Sequence, residues 1–106
     1  MKIAFASNTN NIKTIIDPLF GRCNWFCIYD TDLQSYSFTK NLVNNNQNNA
    51  GTDAAGILIS EGVNIAVSGR FGSKASDILR KNNIQMVIPQ NQITIEDFIN
   101  QIQYKK

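Results

Sequence analysis

Apolar residues in this chain switch between strand-like runs and an i, i+3, i+4 spacing, and each switch marks an element. Residues Lys2 to Ser7 form an apolar run ended by the turn-rich cluster Asn8-Thr9-Asn10-Asn11. Ile12 to Ile16 adds a short extended piece before Asp17-Pro18, which stops a helix from running through. Trp25 to Asp30 is aromatic and β-rich with apolar groups on both faces, the pattern of an internal strand covered on both sides. Thr31 to Ser35 is a turn, and Tyr36 to Thr39 alternates as a half-buried strand does, completing a hairpin.

A polar low-complexity loop, residues 44–49, follows without an apolar anchor. Thr52 is the expected N-cap of a helix whose stripe is Ala55, Leu58 and Ile59, with Gly62 in the left-handed position beyond its end. Val63, Ile65 and Val67 give a buried strand. Ala75, Ile78 and Leu79 repeat the helical stripe up to Asn82-Asn83, and Ile84 to Ile88 is a strand stopped by Pro89. Thr94 caps the last helix, Glu96 and Asp97 suit its positive end, and Ile93 and Phe98 occupy the staple positions. The order β-β-β-α-β-α-β-α predicts a mixed sheet with helices packed on it.

Length adds little except that 106 residues make one domain, 1–106. A 42% hydrophobic and 17% charged composition is globular. A net charge of +2 with no long basic run gives no reason to expect nucleic acid as a partner. No apolar stretch is long enough for a membrane span or a signal-peptide core, so the expectation is a cytoplasmic protein with no membrane partner. Composition removes more chemistry than it suggests. Without histidine there is no Ser-His-Asp or Cys-His catalysis and no imidazole-based metal site. With only Cys23 and Cys27, no four-thiolate cluster can form within one chain.

Two loops could carry chemistry. Ser68 to Lys74 joins a buried strand to a helix at the carboxyl end of the sheet, where open α/β sheets usually bind ligands. Gly69 and Gly72 allow close backbone approach, the helix start supplies N–H groups, and Arg70 and Lys74 add positive charge, which together favour an anion. The spacing is that of neither a Walker loop nor a dinucleotide fingerprint. A tight turn with solvated cations explains the same residues equally well. Phe20-Gly21-Arg22-Cys23 is a weaker signal of the same kind. On an extended segment Cys23 and Cys27 lie about 13 Å apart, too far to bridge or to share a metal. Cys27 is most simply a buried apolar residue. Cys23, whose pKa the Arg22 neighbour would lower, is the one candidate thiolate, although a structural role is favoured for it too. The carboxylates do not cluster, which counts against a two-metal nuclease.

With those loops placed, the sequence resembles the dinitrogenase iron–molybdenum cofactor-binding family: NifX/NifY-type carriers, the tail domain of NifB, and orange-protein-type relatives. The resemblance spans nearly the whole chain. It rests on Lys2 to Ser7, Phe20 to Phe26, Tyr29-Asp30, Ala50 to Ala55, Glu61 to Val67, Ser68 to Ala75, Leu79 and Asn83-Ile84. It implies an α/β ribonuclease H-like motif fold, three layers α/β/α, with a mixed five-stranded sheet of order 3-2-1-4-5 and strand 2 antiparallel. It also implies that the protein holds or delivers an anionic metal–sulfur cofactor, such as the iron–molybdenum cofactor, its precursor or a molybdenum–copper sulfide cluster. A cofactor-delivery protein would be its partner.

The candidate cofactor-binding residues are Ser7, Asn8, Gly21, Arg22, Gly51, Ser68, Gly69, Arg70, Gly72, Ser73 and Lys74, with Cys23 as the candidate metal ligand. Leu19 stands where the family usually places a histidine, and Asn48 to Gly51 replaces another histidine-bearing stretch. A pocket shared by the two glycine–arginine loops would therefore hold its ligand mainly by charge and backbone N–H groups, and empty protein is the expected finding on isolation. The alternative is a cofactor-free interaction or regulatory domain that binds a protein partner or small anion through the same rim. An enzyme ranks last, because no general base is apparent.

Overall fold

The computed structural model describes residues 1–45 and 49–104. The middle of the asparagine-rich loop, 46–48, lies outside the described residues. Strands β1 (Lys2–Ser7), β2 (Trp25–Asp30), β3 (Ser35–Lys40), β4 (Ile65–Val67) and β5 (Gln85–Val87) form one sheet of order β3-β2-β1-β4-β5. β1 pairs antiparallel with β2 and parallel with β4, β2 and β3 are antiparallel, and β4 and β5 are parallel. This is the mixed sheet expected, with β2 as the reversed strand.

β1 is central and buried on both faces, which explains its unbroken apolar run. Its two faces differ in side-chain size. Ala4 and Ala6, with Ala66 of β4, let helices α1 (Ala50–Ser60) and α2 (Ser73–Lys81) approach closely through Ala54, Ala55, Leu58, Ala75 and Leu79. On the other face Ile3, Phe5, Tyr29 and Val67 pack under α3 (Ile95–Tyr104), where the rings of Phe5 and Phe98 meet edge to face at 5.2 Å. Both crossover helices thus cover one face, and the terminal helix covers the other.

The helix ends follow local chemistry. α1 closes in a Schellman arrangement: Gly62 at φ 72° donates to the Ile59 carbonyl, and Val63 donates to Leu58. α2 ends the same way, with Asn83 at φ 61° donating to Arg80 and Ile84 to Leu79. The Thr94 hydroxyl accepts the Asp97 N–H at 3.1 Å, the cap expected for α3. Three expectations needed correction. Residues 12–14 turn rather than extend, with the Thr14 N–H donating to the Asn11 carbonyl, and of that segment only Ile15 makes a strand-like bridge, to Thr94. α1 starts at Ala50 rather than after Thr52: Ala50 is buried beside the Gly21 loop and Ala54 in the core under the helix, which carries the helix back to that point. The Thr52 hydroxyl donates to the Asn49 carbonyl instead of capping. β3 is also more exposed than half-buried, because it is the outermost strand of the sheet. Among the described residues no helix is long and apolar enough to cross a membrane.

Candidate functional site

The two glycine–arginine loops lie side by side because the backbone stitches them together. Asp17 donates its N–H to the Ala6 carbonyl at the end of β1, and its own carbonyl accepts the Gly69 N–H at 3.0 Å and the Ser68 hydroxyl at 3.1 Å. Leu19 and Arg70 then form a parallel bridge pair. Pro18, which the sequence used only as a helix stop, sits against Gly69 so closely that a Cβ there would lie 2.5 Å from the Pro18 Cα. Gly21 meets the start of α1 in the same way: a Cβ would lie 2.7 Å from the Gly51 nitrogen. Glycine at both positions answers a need for space.

Between these loops opens a cleft of about 210 Å³ lined by Leu19, Phe20, Gly21, Arg22, Ala50, Gly51, Arg70 and Gly72. A second depression of about 290 Å³, lined by Gly51, Thr52, Gly72, Ser73, Lys74 and Ala75, shares Gly51 and Gly72 with it. The combined surface is bordered by the amino ends of α1 and α2, neither of which carries a side-chain cap. Their first-turn N–H groups and positive dipole ends therefore face the rim. Arg22, Arg70 and Lys74 are exposed around it, and none of the residues lining either depression is acidic. Such a surface attracts anions.

An amide network braces the Arg22 side. The Arg22 Nη1 donates to the Asn44 carbonyl at 2.9 Å, Asn44 Nδ2 donates to Asn24 Oδ1 at 2.9 Å, and Asn24 Nδ2 donates to Asn8 Oδ1 at 2.6 Å. Beneath it Asn41, only 2% exposed, donates through Nδ2 to the carbonyls of Gly21 at 3.2 Å and Cys23 at 2.8 Å. Asn41 was absent from the sequence expectations. The only signal available was its place immediately after a strand, opposite the Gly21 loop.

Among the sequence-chosen residues, Gly21, Arg22, Gly51, Arg70, Gly72, Ser73 and Lys74 come together at the two depressions. Four others do not line them. Ser7 is fully buried, its hydroxyl donating to the Thr9 carbonyl at 2.6 Å. Ser68 is likewise buried and bonded to Asp17. Asn8 is occupied by Asn24, and Gly69 faces Pro18 on the far side of the loop. At Cys23 the geometry agrees with the favoured structural role and goes against the alternative of an open, acidified thiol that ligates a metal. That side chain is 1% exposed, its Sγ donates to the Phe20 carbonyl at 3.2 Å, and burial pushes its pKa up to about 12 despite the Arg22 neighbour. Arg22 points outward while Cys23 points into the core under α1, so the two are adjacent in sequence only. Cys27 belongs to the opposite core, also with its pKa raised to about 12 by burial, and both thiols are free. Among the described residues there is no group of three or more His, Cys, Asp or Glu that could hold a metal ion.

Comparison with known proteins agrees with this architecture. The model of the dinitrogenase iron–molybdenum cofactor family matches residues 1–105. The apo orange protein from Desulfovibrio gigas superposes with a TM-score of 0.90 at 22% identity, covering 98% of this chain and 88% of that one. A provisionally assigned NifB protein from Thermotoga superposes with a TM-score of 0.82 at 19% identity, covering 97% and 87%. At those identities the superpositions speak to the fold. No curated protein matches the chain.

Proposed function

The chain belongs to the dinitrogenase iron–molybdenum cofactor family, and from that premise we propose that it is a non-catalytic carrier of a small anionic metal–sulfur species held at the glycine–arginine rim. The observation that carries the reading is the convergence of Arg22, Arg70 and two uncapped helix starts on one cleft without an acidic residue in its lining. Guanidinium groups and backbone N–H groups suit sulfide and oxide surfaces as they suit phosphate oxygens. The buried Cys23 thiol takes no part: it is protonated, bonded to the Phe20 carbonyl and closed off from the rim. The cargo is thus a species already saturated by its own sulfide or oxide ligands, such as a thiometalate or a finished cluster. It is released without breaking a protein–metal bond, which suits delivery to a partner.

The test is titration with tetrathiomolybdate in the absence of oxygen, followed by metal and sulfide analysis. Saturable binding that weakens by about tenfold in Arg70→Ala, and weakens as ionic strength rises, is the expected result. No saturable spectral change in the unmodified protein, or equal affinity in Arg70→Ala, would overturn it. In that event the rim is left as an interaction surface on a cofactor-free domain.

A further inference from the structure

β3 is six residues long, pairs with β2 in unbroken register without a bulge, and contains no proline. Its only charge is Lys40 at one end. Edge strands that stay monomeric usually carry a bulge, a proline, an inward-pointing charge or edge lysines, and of these β3 has only the single Lys40 at its end. The other edge, β5, is only three residues long.

The hydrogen-bond phase of β3 identifies what its edge offers. Asn41 donates its N–H to the Asn24 carbonyl just beyond the last pair, Trp25 with Lys40. Bonded and non-bonded pairs alternate in an antiparallel ladder, so Thr39, Ser37 and Ser35 turn their backbone groups toward β2. Tyr36, Phe38 and Lys40 turn theirs outward. Among the described residues the two most exposed large hydrophobics, Leu33 at 74% and Leu42 at 80%, flank this strand at opposite ends, and Tyr36 on it is 49% exposed.

We propose that β3 is a self-association edge, on which a second copy of this chain pairs antiparallel about a two-fold axis at Phe38. That register satisfies every outward N–H and C=O of Tyr36, Phe38 and Lys40, each Phe38 bonding its counterpart and each Tyr36 bonding Lys40 of the other copy. It also places the Lys40 ammonium beside the Tyr36 ring, a favourable cation–π pair, and keeps the two Lys40 side chains apart. On the opposite face Ser37 meets Thr39, a favourable hydroxyl pair. The same symmetry brings Leu33 of each copy to the end occupied by Leu42 and Val43 of the other, so both exposed leucines gain an apolar neighbour. Any other antiparallel register leaves some of these groups unpaired or loses the leucine match. The contact is isologous, so it closes at two copies. The two anion clefts then point in opposite directions along the strands and remain open. A single strand edge with its flanks falls below the area of stable complexes, about 1,200 Å², so the dimer is weak and concentration-dependent.

The experiment is amide hydrogen exchange by NMR together with sedimentation, over protein concentrations from about 10 μM to about 1 mM. The expected result is a shift toward dimer in which the Tyr36, Phe38 and Lys40 amides gain at least tenfold protection, while Ser35, Ser37 and Thr39 are protected throughout. Tyr36→Pro removes an outward N–H that β2 does not use, and should give a folded monomer. Tyr36→Lys should also give monomer, by opposing Lys40 of the other copy, and Tyr36→Lys combined with Lys40→Glu should restore the dimer. A species monomeric at the highest concentration, a dimer with these amides unprotected, or a double variant that stays monomeric while folded by circular dichroism, would each overturn the proposal.

Discussion

Gly21→Ala is the sharpest test of how the cleft is built. The added methyl would lie 2.7 Å from the Gly51 nitrogen and 2.8 Å from its Cα, about 0.7 Å short of ordinary contact, and both obstacles are backbone. Gly21 does not occupy the left-handed region, so backbone strain is not at issue and the whole cost is steric. Neither wall moves cheaply. The Gly21 carbonyl is held by Asn41, and Gly51 lies within the backbone of α1, whose hydrogen bonds fix it. Overpacking of this kind costs about 1–3 kcal/mol, which for a domain of this size lowers the melting temperature by about 5–15 °C. Gly56→Ala is the internal control, because that glycine lies inside α1 with nothing within 4 Å of an added Cβ. It should stabilise by about 0.5–1 kcal/mol through helix propensity. Thermal unfolding followed by circular dichroism measures both, and thiomolybdate titration in parallel should show weakened binding in Gly21→Ala alone. A Gly21→Ala protein that melts within about 2 °C of the unmodified one would refute the close-approach reasoning.

Asn41→Ala leaves the Gly21 and Cys23 carbonyls without their buried donor and should destabilise by about 1–3 kcal/mol, read from denaturant unfolding, with Asn41→Asp unable to rescue because a carboxylate cannot donate. Both thiols should resist a disulfide reagent near pH 8 in the folded protein and react at once in denaturant, since burial raises each from 9.0 to about 12. The folded state binds more protons than the unfolded chain between those values, so the thiols' contribution is complete below pH 9 and is lost as pH rises toward 12. The loss is at most about 1.4 kcal/mol per pH unit for each thiol, visible as a falling denaturation midpoint. Thr94→Ala removes the α3 cap and should cost about 1 kcal/mol in the same assay without changing anion binding.

Most of the fold was legible because local signals and burial agree. The double-sided apolar run of Lys2 to Ser7 reads as central because it is central, and Gly62 and Asn83 end helices where a positive φ is needed. The start of α1 was misplaced because its determinant is tertiary. Ala50 and Gly51 have no capping signature, and the helix start lies where a methyl and a bare Cα leave room for the Gly21 loop. β3 reads as half-buried from its alternation, and only the strand order reveals that it is an outermost strand, with no further strand paired to its outer edge among the described residues.

The candidate site divides along the same line. Residues marked by backbone space or exposed charge, such as Gly21, Arg70 and Lys74, can be placed on the rim from sequence because those properties do not depend on a distant side-chain partner, whereas Gly72, with open space around an added Cβ and an ordinary φ, shows no need for glycine. Ser7, Ser68 and Cys23 could not be placed, because a hydroxyl or thiol is defined by what it bonds to, and here the partners are Thr9, Asp17 and Phe20 rather than a ligand. For Cys23 the competition is decided by placement: the Arg22 guanidinium stands in solvent, where its field is screened, while the thiol is withdrawn into the core. Desolvation is therefore the largest influence on its titration, with Asp17 adding to it. The consequence reaches the whole rim. With the one nearby thiol withdrawn into the core, selectivity rests on charge, N–H geometry and cleft size. Substituting Cys23 with serine should leave thiomolybdate affinity unchanged while lowering stability, whereas a larger fall in affinity than in Arg70→Ala would show that the core thiol opens to the ligand after all.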